Sequence, residues 1–377
     1  MAEDLGLPAP RQRLTSIDAL RGFDMMWIMG GDSIGGAVAL LLGTHHWLSL
    51  QLEHVAWEGC RFYDLIFPTF VFLAGVSAVF SLGRIRDERG KDAAFVRLLQ
   101  RAILLYLMGL FYYGLSKNGE WHIRLLGVLQ RIALAYLGAG FLFIFYKPRT
   151  LIVVAATILI GYWAALKFIP VPGFGVGDLA EGHNLVNWFD SKYLPGFKWD
   201  GDHDPEGILS TFPAIVTCLL GVFAGRVLRD DHRSPAAKAI WLIGYGAALL
   251  TVGFATSFAF PIIKKLWTSS YVLVAGGWSA LALAAFFYVI DVQGWKRWAT
   301  PFVWVGLNPI SIYLAGNLVN FDGLAARLVG GEDAQKVWHG LGALNPGLGA
   351  FVVAILGIGW GFWLAWLLNR RKIFLRV

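Results

Sequence analysis

The stretch HVAWEGCRFYDLIFPTFVFLAG, residues 54–75, decides both the fold and the site of this chain. Its first part is polar and aromatic, and from Leu65 onward it becomes an apolar run interrupted by Pro68. His54 stands just outside that run, and Asp64 stands just inside it. Ionisable groups at membrane depth are costly, so they are functional candidates by default. The stretch therefore predicts a membrane span with a reactive outer mouth.

The composition of the whole chain is that of a polytopic membrane protein. Of its 377 residues, 57% are hydrophobic and 15% are charged, whereas soluble domains are about 45–50% apolar and about 25% charged. The net charge of +7 comes from Lys and Arg in short loops between apolar runs, so it predicts no nucleic-acid partner. Cys60 and Cys218 are too few for a disulfide framework and lack metal-type spacing. P-loop, GxSxG and CxxC motifs are absent from the sequence, which leaves NTPase and hydrolase functions without support.

Ten apolar runs approach the length of about 20 residues that a membrane-spanning helix needs. They are residues 20–43, 63–82, 98–115, 125–146, 150–170, 208–228, 238–260, 270–290, 301–320 and 347–368. Polar loops are predicted at 171–207 and at 321–346. The predicted fold class is therefore all-α, as one polytopic membrane domain over residues 1–377. No signal peptide with a cleavage site is visible, so the first run is expected to stay as an anchor.

Basic residues predict the orientation of the chain. Most of the 32 Lys and Arg fall in the N-terminal segment 1–18, in alternate loops on its side of the membrane, or at the C-terminus. The positive-inside bias places this side, with both termini, in the cytoplasm. His54 and the two polar loops then face outward.

His54 is the first candidate for chemistry, because a neutral imidazole accepts a proton near neutral pH. It can serve as a general base or as a transient acyl acceptor at the mouth of a cavity. The alternative is a loop histidine in an aromatic belt beside Trp47 and Trp57. His45 and His46 lie in the same loop, and composition does not separate the three.

Polar residues within the predicted spans form a second group of candidates. Asp32 lies near mid-membrane or beyond, where an acid needs a partner, a water-filled cavity or a structural hydrogen bond. Gln130 and Arg131 fall in the outer third of the fourth span. Asp64, at a comparable depth, is the predicted partner of Arg131. The pair either only locks two helices together or contacts the ligand directly. Asn308 of the ninth span precedes a proline that loosens the helix.

The segment GDHDPEG, residues 201–207, has two interpretations. One histidine with three acids is a possible metal site. Alternatively, Pro205–Glu206–Gly207 before an apolar run indicates a helix start, with acids favoured at its positive end. We favour the helix start and expect no metal.

Several longer motifs resemble the heparan-α-glucosaminide N-acetyltransferase family. They appear in family order from about residue 13 to residue 320: RLTSIDALRGFDM, HVAWEGCRFYDLIFPTFVFLAGVS, GVLQRIALAY, DPEGILSTFPAIVTCLLGVFAG, KKLWTSSYVL and DVQGWKRWATPFVWVGLNPISIY. The opening S-x-D-x-x-R-G is shared more widely with transmembrane acyltransferases. The chain resembles a bacterial member that lacks the added lumenal N-terminal domain and the extra span of the human enzyme.

The resemblance implies a homodimer in the bacterial inner membrane. It implies that this enzyme moves the acetyl group of cytosolic acetyl-CoA to the amine of a periplasmic glucosamine-type sugar. His54 and Trp57 match the H-x-x-W motif that carries the family's catalytic histidine. Asp32 replaces an Asn near the reaction centre, and we expect it to orient the histidine or the acceptor amine. Further residues at family-type positions, which line the cavity or lie on the cofactor side, are Asp18, Arg21, Asp64, Gln130, Arg131, Glu206 and Asn308.

Two mechanisms and two other functions remain open at this point. In direct transfer, His54 removes the amine proton, and Asn308, Gln130 or the backbone donates to the oxyanion. In the alternative, His54 carries the acetyl group as an intermediate. Either way, the CoA arm is expected to thread a polar tunnel, with its phosphates near the inner basic residues. The other functions are an amino-sugar permease and an O-acyltransferase acting on a cell-envelope glycan.

Overall fold

The apolar runs become helices, because a bilayer offers backbone groups no partner outside their own segment. A computed structural model describes residues 14–114, 123–329 and 345–375. In chain order its α-helices are α1 (Thr15–Leu42), α2 (Trp47–Gln51), α3 (Ile66–Arg89), α4 (Lys91–Gly114), α5 (Val128–Phe145), α6 (Pro148–Phe168), α7 (Leu185–Tyr193), α8 (Thr211–Arg229), α9 (Pro235–Ser257), α10 (Ser269–Phe286), α11 (Thr300–Leu307), α12 (Pro309–Leu318), α13 (Phe321–Leu328) and α14 (Pro346–Arg370). Over these ranges, β structure is limited to two isolated bridges.

Within the described residues, nine helices are long and apolar enough to cross a membrane. The prediction of an all-α, polytopic membrane protein is confirmed. The predicted span 301–320 differs, because α11 ends at Leu307 and α12 begins at Pro309. Proline removes a backbone donor and disfavours helical geometry in the residue before it, so the run divides at Asn308.

The two predicted polar loops are partly helical. The loop 171–207 contains α7, and the segment 321–346 begins with α13. Residues 330–344 of that segment, and residues 1–13 of the predicted N-terminal segment 1–18, lie outside the described residues. The cytoplasmic location of the termini stays a prediction.

Helices α3 and α8 cross at the centre of the bundle. A Cβ on Gly75 of α3 would collide with the backbone oxygen of Cys218, and one on Gly221 of α8 would collide with that of Phe72. Small residues let backbones approach to van der Waals contact, which drives helix association in lipid. Glycine at these two positions therefore allows α3 and α8 to pack closely in the centre of the bundle that carries the site.

The order of the spans brings particular helix ends together. Because successive spans run in opposite directions, the C-terminal ends of α1 and α4 meet the N-terminal ends of α3, α5, α8 and α10. At that end, the loop carrying His54 is attached to the loop before α10. Glu58 and Ile263 form an isolated antiparallel bridge, and the Gly59 N–H donates to the Ile262 carbonyl at 2.8 Å.

Candidate active site

A cavity of about 780 Å³ opens at this end of the bundle. Ligand sites in proteins are typically roughly 300–1,000 Å³, so the cavity is large enough for a sugar-sized molecule. Its walls come from α1, α4, α5, α12, the start of α3 and the surrounding loops. The predicted site residues that line it are Asp32, His54, Trp57, Asp64 and Glu206.

His54 and Asp64 form a pair in the wall of this cavity. Nδ1 of His54 lies 2.8 Å from Oδ1 of Asp64, whose side chain is fully buried, while the His54 side chain is 53% exposed. The other carboxylate oxygen accepts from the backbone N–H of Arg61 at 3.0 Å and of Val55 at 3.3 Å. With Nδ1–H donating to Asp64, Nε2 of His54 is left as the proton acceptor.

Lys264 is a third member of this group, and the sequence interpretation missed it. Its Nζ lies 2.9 Å from Nδ1 and 3.3 Å from Nε2 of His54, and 3.3 Å from Oδ1 of Asp64. Burial lowers the pKa of Lys264, and the carboxylate of Asp64 opposes that change. A sequence signal was available, because Lys264 and Lys265 lie in a loop that the positive-inside rule assigns to the outer side.

Tyr63 fixes the plane of the histidine ring. The two rings stack with centroids 4.6 Å apart and an interplanar angle of 23°. The far edge of Tyr63 packs on Gly31 of α1, where a side chain would collide with the ring. Asp32, the next residue of α1, is exposed and lines the same cavity. The structure therefore brings Asp32 into the His54 cavity, and its orienting role stays a prediction.

Arg124 forms a closed ion cluster in the same cavity. Its Nε and Nη2 donate to the two oxygens of Asp204 at 2.8 and 2.6 Å, and Nη2 donates to Glu206 at 2.5 Å. Burial alone would lower the pKa of Arg124, but the hydrogen bonds to Asp204 and the charge of Glu206 raise it. The helix start predicted at 205–207 is wrong: α8 begins at Thr211, and both acids bind Arg124 instead.

The predicted pair between Arg131 and Asp64 is also wrong. Arg131 donates to the carbonyl of Gly207 at 3.3 Å and to the hydroxyl of Ser210, and its guanidinium lies 4.9 Å from the centroid of the Trp267 ring. Arg131 thus fastens the segment before α8 to α5 and does not line the cavity. Depth alone suggested the pairing, but the two side chains point to different neighbours.

Gln130 and Asn308 bind backbone groups in this structure, and their expected role as oxyanion donors stays a prediction. Nε2 of Gln130 donates to the carbonyl of Arg124 at 3.0 Å. The Asn308 side chain donates to Ile373 and accepts from Leu375, both at 3.0 Å, and so binds the chain after α14. Neither side chain lines the cavity around His54.

Asp18 and Arg21 lie in the first turns of α1, near the other end of the bundle. Arg21 donates to the carbonyl of Gly306 at 3.2 Å and to the hydroxyl of Ser77 at 2.5 Å, and its Nη1 lies 3.4 Å from Asp18. These contacts join α1 to α11 and α3. Both residues are placed away from the cavity, and their cofactor-side role stays a prediction.

The floor of the cavity is apolar. Ile28, Phe67, Val128 and Tyr313 line both the cavity and a void of about 10 Å³ beneath it, whose other walls are aliphatic and aromatic side chains. A water molecule needs polar partners as well as space. Apolar side chains therefore pack directly below the cavity at this place, and the expected polar tunnel stays a prediction.

One group near the rim has the composition of a metal site. Ligand atoms of Glu181, Asp200 and His203 lie within 4.8 Å of one another. However, Nζ of Lys265 lies 2.6 Å from Glu181 and 3.0 Å from Asp200, so both acids already have a cationic partner. The expectation that the chain needs no metal stays a prediction.

The helical bundle and its histidine–carboxylate cavity define a polytopic membrane protein with a polar site at one end. The family model for the heparan-alpha-glucosaminide N-acetyltransferase catalytic region matches residues 13–253, and the chain belongs to this family. Lys264 and Asn308 lie beyond the matched range.

Two relatives carry the name heparan-alpha-glucosaminide N-acetyltransferase. The Mus musculus protein is 28% identical over 361 residues, which are 80% of this chain and 53% of the relative. The Homo sapiens protein is 27% identical over 372 residues, which are 82% of this chain and 53% of the relative. The chain thus spans about half the length of the curated relatives it matches.

Proposed function

We propose that this chain is a transmembrane N-acetyltransferase. It moves the acetyl group of acetyl-CoA to the amine of a glucosamine-type sugar bound in the His54 cavity. One observation carries the proposal: a half-exposed imidazole is held at 2.8 Å by a buried carboxylate inside a cavity of ligand size. Membership of the family and the names of the two relatives support the same activity.

The arrangement suits general-base catalysis. Nε2 of His54 accepts the proton that the amine loses as its nitrogen bonds to the acetyl carbonyl carbon. The C–S bond then breaks, and His54 returns the proton to the departing sulfur. Asp64 keeps the ring in the required tautomer and stabilises the imidazolium while it lasts.

A covalent route through the nearby thiol is disfavoured. Burial raises the pKa of Cys60 to about 12, and the charge of Asp64 adds to that effect. The thiolate is the nucleophilic form of cysteine, and it is scarce at neutral pH when the pKa is this high. An acetyl-His54 intermediate remains the competing mechanism, and trapping labelled acetyl on His54 without an acceptor would support it.

The direction of transfer is part of the proposal. Arg86 of α3 and Arg229 of α8 lie at the other end of the bundle, where they would attract the phosphates of CoA arriving from the cytosol. From Asp64 to Arg86 the chain rises about 33 Å along α3, so the thioester must pass the floor formed by Phe67 and Tyr313. The passage therefore requires those apolar side chains to separate.

Sidedness can be measured by cysteine labelling. In a C60S/C218S background, a cysteine replacing exposed Asp202 should react with a membrane-impermeant maleimide added outside intact cells. A cysteine replacing Arg84, which is exposed at the other end, should react only after lysis. The reverse pattern would place the His54 cavity in the cytoplasm.

The same proposal includes a homodimer in the bacterial inner membrane, on the strength of the family resemblance. Membrane fractionation and the mass of the purified protein in nanodiscs test these two points independently of activity. A monomeric mass with full activity would remove the dimer from the proposal.

The decisive experiment is His54→Ala in nanodiscs with acetyl-CoA and glucosamine. We expect transfer to fall by about 10²- to 10⁴-fold, the usual contribution of a positioned base, with CoA binding retained. His45→Ala, an exposed histidine in the preceding loop, is the matched control. Unchanged turnover in His54→Ala would refute the proposal. Acetylation of hydroxyls would favour the O-acyltransferase, and sugar uptake without acetyl-CoA would favour the permease.

A further inference from the structure

The ammonium of Lys264 contacts the imidazole of His54, which the proposed function uses as a base. Its Nζ is within 3.3 Å of both ring nitrogens of His54 and of the carboxylate that orients them. Asp64 therefore has two partners, a ring and a cation, on the same oxygen. The contact joins residues 210 apart in the sequence.

The backbone around Lys264 is held in a defined turn. Trp267 is buried and has a left-handed φ of 53°, and its N–H donates to the carbonyl of Lys264 at 2.9 Å. Such a conformation costs roughly 1–3 kcal/mol in a non-glycine residue and persists only where the surroundings impose it. Here the indole N–H donates to Thr217 at 3.0 Å, and Phe67 packs on the ring at 5.3 Å.

Several other charged or titratable groups lie near His54 and Lys264. Besides Asp64, Glu206 and Cys60 act on Lys264. Tyr63 stacks on the ring of His54, and Asp32 lines the same cavity. Glu206 is already bound by Arg124. On the other side of His54, Arg61 contacts its backbone carbonyl at 3.5 Å rather than its ring. Asp64 is the carboxylate that lies within hydrogen-bonding distance of both His54 and Lys264.

We propose that Lys264 is a positioning residue, which shares Asp64 with His54 and thereby keeps the imidazole uncharged and able to accept a proton. A carboxylate close to an imidazole favours its charged form, whereas a cation close to it favours the neutral form. In the wild type, the two neighbours oppose each other. Without the lysine, the carboxylate of Asp64 remains beside the ring without an opposing cation, and a carboxylate favours the charged imidazole. The inference rests on the proposed function only through the use of His54 as a base.

The first test is the pH profile of kcat/KM. In Lys264→Met we expect the acid limb to move upward by about one pH unit, as removal of one adjacent charge typically causes. Lys264→Arg should restore the wild-type midpoint, because it keeps a cation beside Asp64. Lys265→Met, which removes the adjacent ammonium bound to Glu181 and Asp200, should leave the midpoint in place. If the substitution only disturbed packing, the rate would fall and the acid-side midpoint of the pH profile would not change.

The second test measures the protonation of the His54 imidazole directly. Diethyl pyrocarbonate modifies the neutral imidazole, so its rate at His54 can be followed by mass spectrometry against pH, with exposed His232 as the internal reference. We expect the midpoint for His54 to rise in Lys264→Met and in Lys264→Gln, but not in Lys264→Arg. An unchanged midpoint in folded protein of either neutral variant would overturn the inference. A shifted midpoint in a chain without transferase activity would instead refute the proposed function and leave the role of Lys264 intact.

Discussion

Two clusters of charge line the same cavity, and they differ in how fully their atoms are paired. In the Arg124 cluster, defined by Arg124, Asp204 and Glu206, the guanidinium is 3% exposed and binds two carboxylates through three hydrogen bonds. In the His54 cluster, defined by His54, Asp64 and Lys264, the carboxylate is buried, but half of the imidazole faces the cavity.

The difference supports a structural role for the Arg124 cluster and the proposed catalytic role for the His54 cluster. Buried charges are tolerated when their hydrogen bonds are complete, and Arg124 cannot give up its proton. It is suited to fix the segment before α8. In the His54 cluster, each of the three groups can gain or lose a proton, and the half-exposed imidazole can meet a ligand in the cavity. We therefore assign stability to the first cluster and chemistry to the second.

The largest expected effect is on stability, from Arg124→Met. This change leaves Asp204 and Glu206 buried without their cation, and breaking a buried pair typically costs about 3–5 kcal/mol. The measurement is the denaturation midpoint in detergent at pH 7. Because burial raises the pKa of Glu206, the loss of stability should be smaller at pH 5, where Glu206 takes up a proton more readily.

Arg84→Met is the control for this prediction. Arg84 forms an exposed pair with Glu88, and its side chain is 76% exposed. Pairs of this kind contribute less than about 1 kcal/mol. If both variants were equally stable, the Arg124 cluster would not be the structural one.

The second effect is on activity, from Asp64→Asn. The amide can still accept backbone N–H groups, but its NH₂ would meet Nδ1–H of His54, so the ring loses the tautomer it needs. We expect transfer to fall by about 10²-fold, or roughly 3 kcal/mol. Stability should fall less than in Arg124→Met, because burial already lowers the pKa of Lys264 and the lysine can release its proton. A variant that unfolds but retains its specific activity would reverse the assignment.

The contrast between the clusters also explains what the sequence could predict. The long apolar runs predicted the spans, because hydropathy measures composition along one helix. It does not measure backbone continuity, so the run 301–320 concealed the break at Asn308. Likewise, depth in the membrane is one coordinate of a side chain and rotation about the helix axis is another. Asp64 was therefore matched to Arg131 at similar depth, although it binds His54 and Lys264.

The site itself was predictable only where its parts were local. His54 and Asp64 are ten residues apart in one quoted motif, and both were candidates. Lys264 and Arg124 were missed because each binds partners 80 or more residues away. Such contacts depend on how the spans pack, which no single stretch of sequence specifies.

A third, smaller effect concerns the pH dependence of stability. Asp190 of α7 lies against Gly207, beside the Arg124 cluster, and burial raises its pKa from 3.8 to about 6, while a hydrogen bond from Ile208 opposes the change. A raised pKa means that the folded state holds the proton more tightly. The contribution of Asp190 is therefore fully present below about pH 4 and is lost as the pH rises through about 6.

Asp190→Asn should remove this dependence. Between pH 4 and pH 7, the stability of the variant relative to wild type should rise by about 2 kcal/mol, the order of magnitude that such a shift implies. Thermal unfolding at the two pH values measures this stability difference. The midpoint on the acid side of the kcat/KM profile should not change. If the stability of the two proteins changed equally between pH 4 and pH 7, burial would not raise the pKa of Asp190 in the folded state.

The smallest expected effect comes from Arg61→Gln, next to the reactive group. Its guanidinium lies 3.5 Å from the His54 carbonyl and 3.9 Å from Glu53, and its backbone N–H, which any residue supplies, is what binds Asp64. We expect a stability change below about 0.5 kcal/mol and activity within about threefold of wild type. A loss as large as that of Asp64→Asn would mean that a second cation tunes His54. Proximity to the ring alone would then fail to separate reactive from structural charge, and the assignment of chemistry to three residues would have to include a fourth.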